Sequence, residues 1–173
     1  MNGSLPVATF SIVGFDPKTG DLGIAVQSRF LAVGSVVPWA QAGVGAIAVQ
    51  SFPDPRQGPL ALQMMADGSS ATQTLTELME SDEGRSVRQI GAVDSSGRSA
   101  CYTGSDCLGW AGHVAGDNFA AQGNMLVSER TVGAMAEKFQ SASGTLAARL
   151  MAALAAAQSA GGIPGASNQP PSS

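Results

Sequence analysis

Hydrophobic periodicity changes character along this chain in a fixed order, and that order constrains the fold more than any bulk property does. Period-two segments come first, in two pairs; two stretches of helical spacing follow, then two further strand pairs, then two more helical stretches. Strands are expected near residues 7–15 and 21–28, joined by Asp16-Pro17-Lys18-Thr19-Gly20, where proline presets φ and Gly20 is expected to hold a positive φ. Val36 to Ala40 and Val44 to Gln50 flank Gln41-Ala42-Gly43 as a second hairpin. Gly58-Pro59 opens a helix through Leu60, Leu62, Met64 and Met65, and Ser70 with Gln73 gives capping-box spacing before Leu75, Leu78 and Met79. Val87 to Val93 and Ser99 to Thr103 enclose the turn Asp94-Ser95-Ser96-Gly97, and strands are expected near Gly109 to His113 and Asn118 to Gln122. Val132, Met135, Ala136 and Phe139 mark a third helix; Leu146, Leu150, Met151 and Leu154 mark a fourth. Each apolar helical stripe needs a sheet to cover, so the expected fold is α+β, with sheets packed face to face and helices outside.

With 173 residues the chain has the length of one domain, and 44% hydrophobic against 13% charged residues leaves enough apolar surface for a continuous core. The same balance leaves a sparsely charged surface, which favours a homo-oligomer. Net charge is −4 and the lysines are Lys18 and Lys138 alone, so no basic patch exists for a nucleic acid backbone. No apolar run approaches the ~20 residues of a membrane-spanning helix. Met1 to Ala8 is too short and uncharged for a secretory signal, which makes the cytoplasm the expected location. In that compartment Cys101 and Cys107 are expected as free thiols, with Cys101 a small core residue on a strand. The tail from Ile163 to Ser173 is rich in Pro, Gly and Ser and is expected to be disordered or loosely docked.

The first strand carries the most chemistry. Phe10 and Ile12 alternate with Thr9 and Ser11, the pattern of a half-buried strand with two hydroxyls on its outer face. A hydroxyl on a rigid first strand suits a nucleophile, because processing can free its own α-amine as the base.

Several blocks resemble one family. Thr9-Phe10-Ser11-Ile12-Val13 is followed in order by Asp16-Pro17-x-Thr19-Gly20-Asp21-Leu22-Gly23, Ser28-Arg29-Phe30-Leu31-Ala32-Val33-Gly34, Val37-Pro38-Trp39-Ala40 and Asp54-Pro55-Arg56-x-Gly58-Pro59. Arg88-Gln89-x-Gly91-x-Val93-Asp94, Thr103-Gly104-x-x-Cys107-x-x-Trp110-Ala111-Gly112-His113 and Gln122-Gly123-Asn124 complete the set. Together they resemble the DUF1028 family, whose members are classed with the N-terminal nucleophile (Ntn) hydrolases. The resemblance implies a four-layer αββα sandwich. It divides the chain into a leader over residues 1–8, an Ntn-hydrolase-like domain over 9–162 and a tail over 163–173. Where the family continues with further strands, this chain runs Gly161-Gly162-Ile163-Pro164, so a sandwich lacking the C-terminal family segment is expected, with a sheet edge or apolar face left uncovered.

The same resemblance implies an amidohydrolase acting on a small amide or peptide substrate, with Thr9 as nucleophile once the Ala8–Thr9 bond is cut and no cofactor required. Ser11 is the fallback nucleophile. Arg29 is a candidate to tune the amine and Gln50 a candidate oxyanion donor, while Gln122 and Asn124 are candidates for substrate binding. Each has a plainer reading: Thr9 as a strand residue with its amide intact, Arg29 as a surface charge, Gln50 as a strand-end amide, and Gln122 with Asn124 as a capped strand end. His113 is the only histidine, which excludes paired-histidine zinc sites, and no G-x-S-x-G elbow presents a serine to it. Cys101-x5-Cys107-x5-His113 fits no zinc template, so no metal is expected. Gly43-Val44-Gly45-Ala46-Ile47-Ala48 imitates a dinucleotide fingerprint but runs into a strand ended by Pro53, not into a helix. Opposed to catalysis stands a second class of function: a non-catalytic module of the same fold, working through self-association or partner binding.

Overall fold

A computed structural model describes residues 8–163. Met1 to Val7, most of the expected leader, and the tail beyond Ile163 lie outside the described residues. The described chain forms a mixed α+β fold of eight strands in two antiparallel sheets and four helices. Strands β1 (Thr9–Phe15), β2 (Leu22–Ser28), β7 (Trp110–Gly116) and β8 (Phe119–Leu126) form one sheet in the order β2-β1-β8-β7. Strands β3 (Pro38–Gln41), β4 (Gly45–Ser51), β5 (Arg88–Asp94) and β6 (Ser99–Thr103) form the other in numerical order. Helices α1 (Gln57–Ala66) and α2 (Ala71–Ser81) pack on the second sheet; α3 (Arg130–Ser141) and α4 (Leu146–Ser159) pack on the first.

Local signals account for several of these boundaries. Gly20 has a φ of 79°, and its N–H donates to the Asp16 carbonyl at 2.8 Å, closing the β1–β2 turn as the sequence predicts. Ser70 caps α2 through a complete capping box, its hydroxyl taking the Gln73 N–H while the Gln73 side chain takes the Ser70 N–H. Strand β8 runs to Leu126, four residues past the expected end at Gln122, because it is a central strand with a partner on each side.

Both central pairs, β1 with β8 and β4 with β5, are buried on two faces, which corrects the half-buried reading of the first strand. The even-numbered residues Phe10 and Ile12 of β1 meet Phe119, Met135, Phe139 and Leu150 under α3 and α4. The odd-numbered ones face the opposite sheet. Thr9 and Ser11 therefore lie between the sheets, not on the outside. The inner face is divided along its length: Val13, Phe15, Ala46, Ala48, Val93 and Ala120 close one end as an apolar cluster. Thr9, Ser11, Gln50, Gln89, Gln122 and Asn124 occupy the other, all buried.

Gly91 makes room for this polar end, since a Cβ there would stand 2.0 Å from Gln122 Oε1. Leu150 lies against β2, its Cδ1 2.9 Å from where a Cβ on Gly23 would stand. Leu150→Ala is expected to cost about 2–5 kcal/mol through the cavity it leaves, read as a lower urea midpoint. A cost under about 0.5 kcal/mol would place that face of α4 in solvent.

Candidate functional site

The polar end of the inner face is built from strand register. Thr9 stands opposite Ser28 on β2 and Asn124 on β8; Ser11 stands opposite Gln122; Gln50 stands opposite Gln89. A neighbour on each side, all on one face, places these side chains within reach across the gap between sheets. They form a continuous chain of hydrogen bonds. Gln122 Nε2 donates to Ser11 Oγ at 2.7 Å, Ser11 Oγ donates to Gln50 Oε1 at 2.7 Å, and Gln50 Nε2 donates to Gln89 Oε1 at 2.8 Å. Gln89 Nε2 then donates to Thr103 Oγ1 at 3.0 Å, and Thr103 Oγ1 lies 2.8 Å from His113 Nδ1. At the other end the Cys101 thiol has Gln122 Oε1 at 3.8 Å and the Val114 carbonyl at 3.9 Å as acceptors. Ser11, Gln50, Gln89 and Gln122 are fully buried, and there each needs its partner, because an unpaired buried amide costs about 1–3 kcal/mol.

A second, smaller group adjoins the ladder at the start of β1. Ser28 Oγ donates to the Ala8 carbonyl at 3.0 Å and accepts the Phe30 N–H at 3.0 Å. A hydroxyl has one proton, so the 2.8 Å contact between Thr9 Oγ1 and Ser28 Oγ has Thr9 as donor. The Ala8 carbonyl also takes the Arg29 N–H at 3.3 Å. Two residues next to this end hold backbone conformations that side chains disfavour: Ser51, following Gln50, has φ 73°, and Met125, following Asn124, has φ 52°. The start of β5 is anchored by Arg88, which binds Asp82 at 2.8 Å and the Phe52 carbonyl. Burial raises the Asp82 carboxyl, yet hydrogen bonds from Arg88, Gly84 and Gln57 outweigh it and hold its pKa below the usual value.

The sequence-derived candidates are placed as follows. Thr9, Ser11, Gln50, Gln122 and Asn124 come together at one end of the inner face. Ser11 has its proton on Gln50 and accepts from Gln122 on one lone pair. Arg29 follows β2 at the same end but is exposed and takes no part in the ladder. His113 bonds Thr103 on the facing sheet, and burial lowers its pKa. Ser28, Gln89 and Thr103 were missed. For Gln89 a signal existed: an amide inside the run Gln89-Ile90-Gly91-Ala92-Val93 has to be bonded to something. Among the described residues no group of three or more His, Cys, Asp or Glu side chains is placed to hold a metal, and no helix is long and apolar enough to cross a membrane.

Burial pushes the Cys101 thiol up to about 12. The folded thiol therefore stays protonated over a range where the unfolded one ionises, and stability is expected to fall between about pH 9 and 12. Iodoacetamide at pH 8 is expected to spare Cys101 until the protein unfolds, as peptide mass mapping would read; ready native-state alkylation there would contradict the burial.

Fold and site together define a two-sheet α+β domain whose inner face carries a buried amide ladder next to an N-terminal strand hydroxyl. The chain belongs to the DUF1028 family, a family of unknown function, whose model matches residues 9–168. It is similar to a DUF1028 protein from Silicibacter pomeroyi of known crystal structure, at 38% identity and a TM-score of 0.86, over 90% of this chain and 70% of that one. Among curated proteins none is significantly similar in sequence.

Proposed function

We propose that this chain is an Ntn-type amidohydrolase, built on the four-layer αββα sandwich of that superfamily, in which Thr9 attacks the carbonyl of a small amide or peptide. The arrangement of two facing sheets with a helix pair on each supports the superfamily reading. The observation that carries the reaction is the contact of Thr9 Oγ1 with Ser28 Oγ at 2.8 Å, while the same serine donates to the Ala8 carbonyl at 3.0 Å. Between Thr9 and Ser11 it favours Thr9, because Ser28 links the Thr9 hydroxyl to the Ala8 carbonyl, whereas Ser11 is bonded within the ladder.

In this reading the leader is removed first. Thr9 Oγ1 adds to the Ala8 carbonyl carbon, whose oxygen is held by Ser28 Oγ and the Arg29 N–H. The C–N bond breaks, the hydroxyl proton passes by way of Ser28 to the departing Thr9 nitrogen, and an Ala8–Thr9 ester results. Water hydrolyses that ester to an Ala8 carboxylate and a free Thr9 amine. The amine, with an ordinary pKa of about 7.7–8.0, then serves as base for the same attack on a substrate amide. Arg29, the residue after Ser28, is the charge that would favour its neutral form.

Intact-mass measurement of the purified protein, before and after treatment with a β-lactone electrophile, tests this. A species beginning at Thr9 that gains one lactone mass on Thr9 is the expected result. A chain uniformly beginning at Met1 or Asn2 and taking no label would favour the non-catalytic module instead.

A further inference from the structure

We infer that Gln89 is a positioning residue: it fixes which atom of Asn124 is turned toward Thr9, and so makes Asn124 a hydrogen-bond acceptor at the site, an inference that rests on the reading of Thr9 above. The argument begins with two backbone carbonyls. Gln89 Nε2 lies 2.8 Å from the Gly123 oxygen and 3.2 Å from the Gly112 oxygen. Carbonyls only accept, so the nitrogen of Gln89 has to stand there and its oxygen has to point away. That oxygen takes Gln50 Nε2 at 2.8 Å and Asn124 Nδ2 at 3.0 Å, which fills both of its lone pairs.

One N–H of Asn124 is thereby held by Gln89, which sets the amide with Oδ1 on the side away from Gln89. Asn124 is the cross-strand neighbour of Thr9 on β8, on the same inner face. An acceptor beside Thr9 suits the proposed chemistry, because the amine becomes an ammonium when it takes the hydroxyl proton. A side-chain N–H in that position would oppose the same charge. Gln89 does this without touching Thr9 or a substrate.

The same constraint propagates to the far end of the ladder, where it can be read. Thr103 Oγ1 faces Gln89 Nε2, which shares two hydrogens among three acceptors and has no lone pair to take a proton, so the Thr103 proton goes to His113 Nδ1 and leaves the neutral imidazole protonated on Nε2. The side chains facing His113 from β6 and β8 are Cys101, Thr103 and Gln122, none of them charged at neutral pH, and α3 lies on the other face of β7. His113 is the only histidine in the chain, so its resonances are unambiguous.

The test joins this reporter to the reaction of Thr9. Long-range proton–nitrogen spectra of 15N-labelled protein at pH 8 are expected to show His113 as the Nε2–H tautomer. Gln89→Glu replaces the donating nitrogen by an accepting oxygen; Thr103 then turns its hydroxyl to the carboxylate, and His113 is expected to switch to Nδ1–H. In the processed protein, β-lactone labelling of Thr9 is expected to slow about 10²-fold in Gln89→Glu and in Asn124→Ala, with Asn124→Asp, which keeps an acceptor, recovering much of the loss. Wild-type His113 found as Nδ1–H, or a tautomer unmoved in Gln89→Glu, would overturn the ladder's direction and the inference with it. A shifted tautomer with an unchanged labelling rate would reduce Gln89 to a packing role. A wild-type protein that takes no label at Thr9, yet shows the expected tautomers, overturns the Thr9 reading and supports Gln89's hold on Asn124. Should Gln89→Glu not fold, Thr103→Val removes the proton donated to His113 and is expected to abolish the Nε2–H preference; a preference that survives would count against the inference.

Discussion

Thr9→Ala is expected to yield a folded protein whose Ala8–Thr9 bond stays whole and whose reaction with a β-lactone falls by about 10⁴-fold or more, the scale on which loss of a nucleophile acts. The fold should survive because the bond lost to Ser28 is a neutral hydrogen bond, worth about 0.5–1.5 kcal/mol. Thr9→Ser keeps both hydroxyl and amine and should retain part of the activity. Ser28→Ala, by contrast, should slow leader removal more than it slows the processed protein, since Ser28 donates to the bond being cut. Intact mass gives the first readout and a labelling time course the second. If labelling survives Thr9→Ala but is lost with Ser11→Ala or His113→Ala, a conventional hydroxyl–histidine pair replaces the N-terminal nucleophile.

The largest loss of stability is expected at Gln89. Gln89→Leu has similar bulk but strands Gln50 Nε2 and Asn124 Nδ2 without an acceptor and the Gly123 and Gly112 carbonyls without this donor. At about 1–3 kcal/mol for each unsatisfied buried group, even partial relaxation leaves a cost of at least about 3 kcal/mol, a large part of the 5–15 kcal/mol typical of a domain. Thr103→Val, at the more open end of the chain, should cost about 1 kcal/mol. Chemical denaturation of the two variants side by side is the measurement; equal costs would mean that the ladder is not the unit of stability it is drawn to be.

Much of the architecture was legible in the sequence because it rests on local signals. The Ser70 capping box, the Asp16 to Gly20 turn and the stripes of α3 and α4 each reside within a few residues of chain. The sidedness of β1 was not legible. Thr9 and Ser11 alternate with Phe10 and Ile12 as in a strand with one wet face, and period two cannot distinguish water from a second buried layer that happens to be polar. The site was legible in its members on β1, β4 and β8, where hydroxyls and amides sit in otherwise apolar runs. Ser28 escaped because its role depends on register with Thr9, and Gln89 because its role depends on Gly112 and Gly123, distant in sequence.

The one-way donation along the ladder has an electrical consequence. From Gln122 through Ser11, Gln50 and Gln89 to Thr103, every N–H or O–H points the same way, so the bond dipoles add instead of cancelling. The row behaves as a short side-chain counterpart of a helix dipole, with its positive end at His113 and its negative end at Cys101. A proton arriving at His113 Nδ1 meets the hydrogen of Thr103, and a thiolate forming at Cys101 meets the oxygen of Gln122. Both ends thus resist charging in the same sense as burial, which lowers the imidazole and raises the thiol. The polar end of the space between the sheets thus stays neutral.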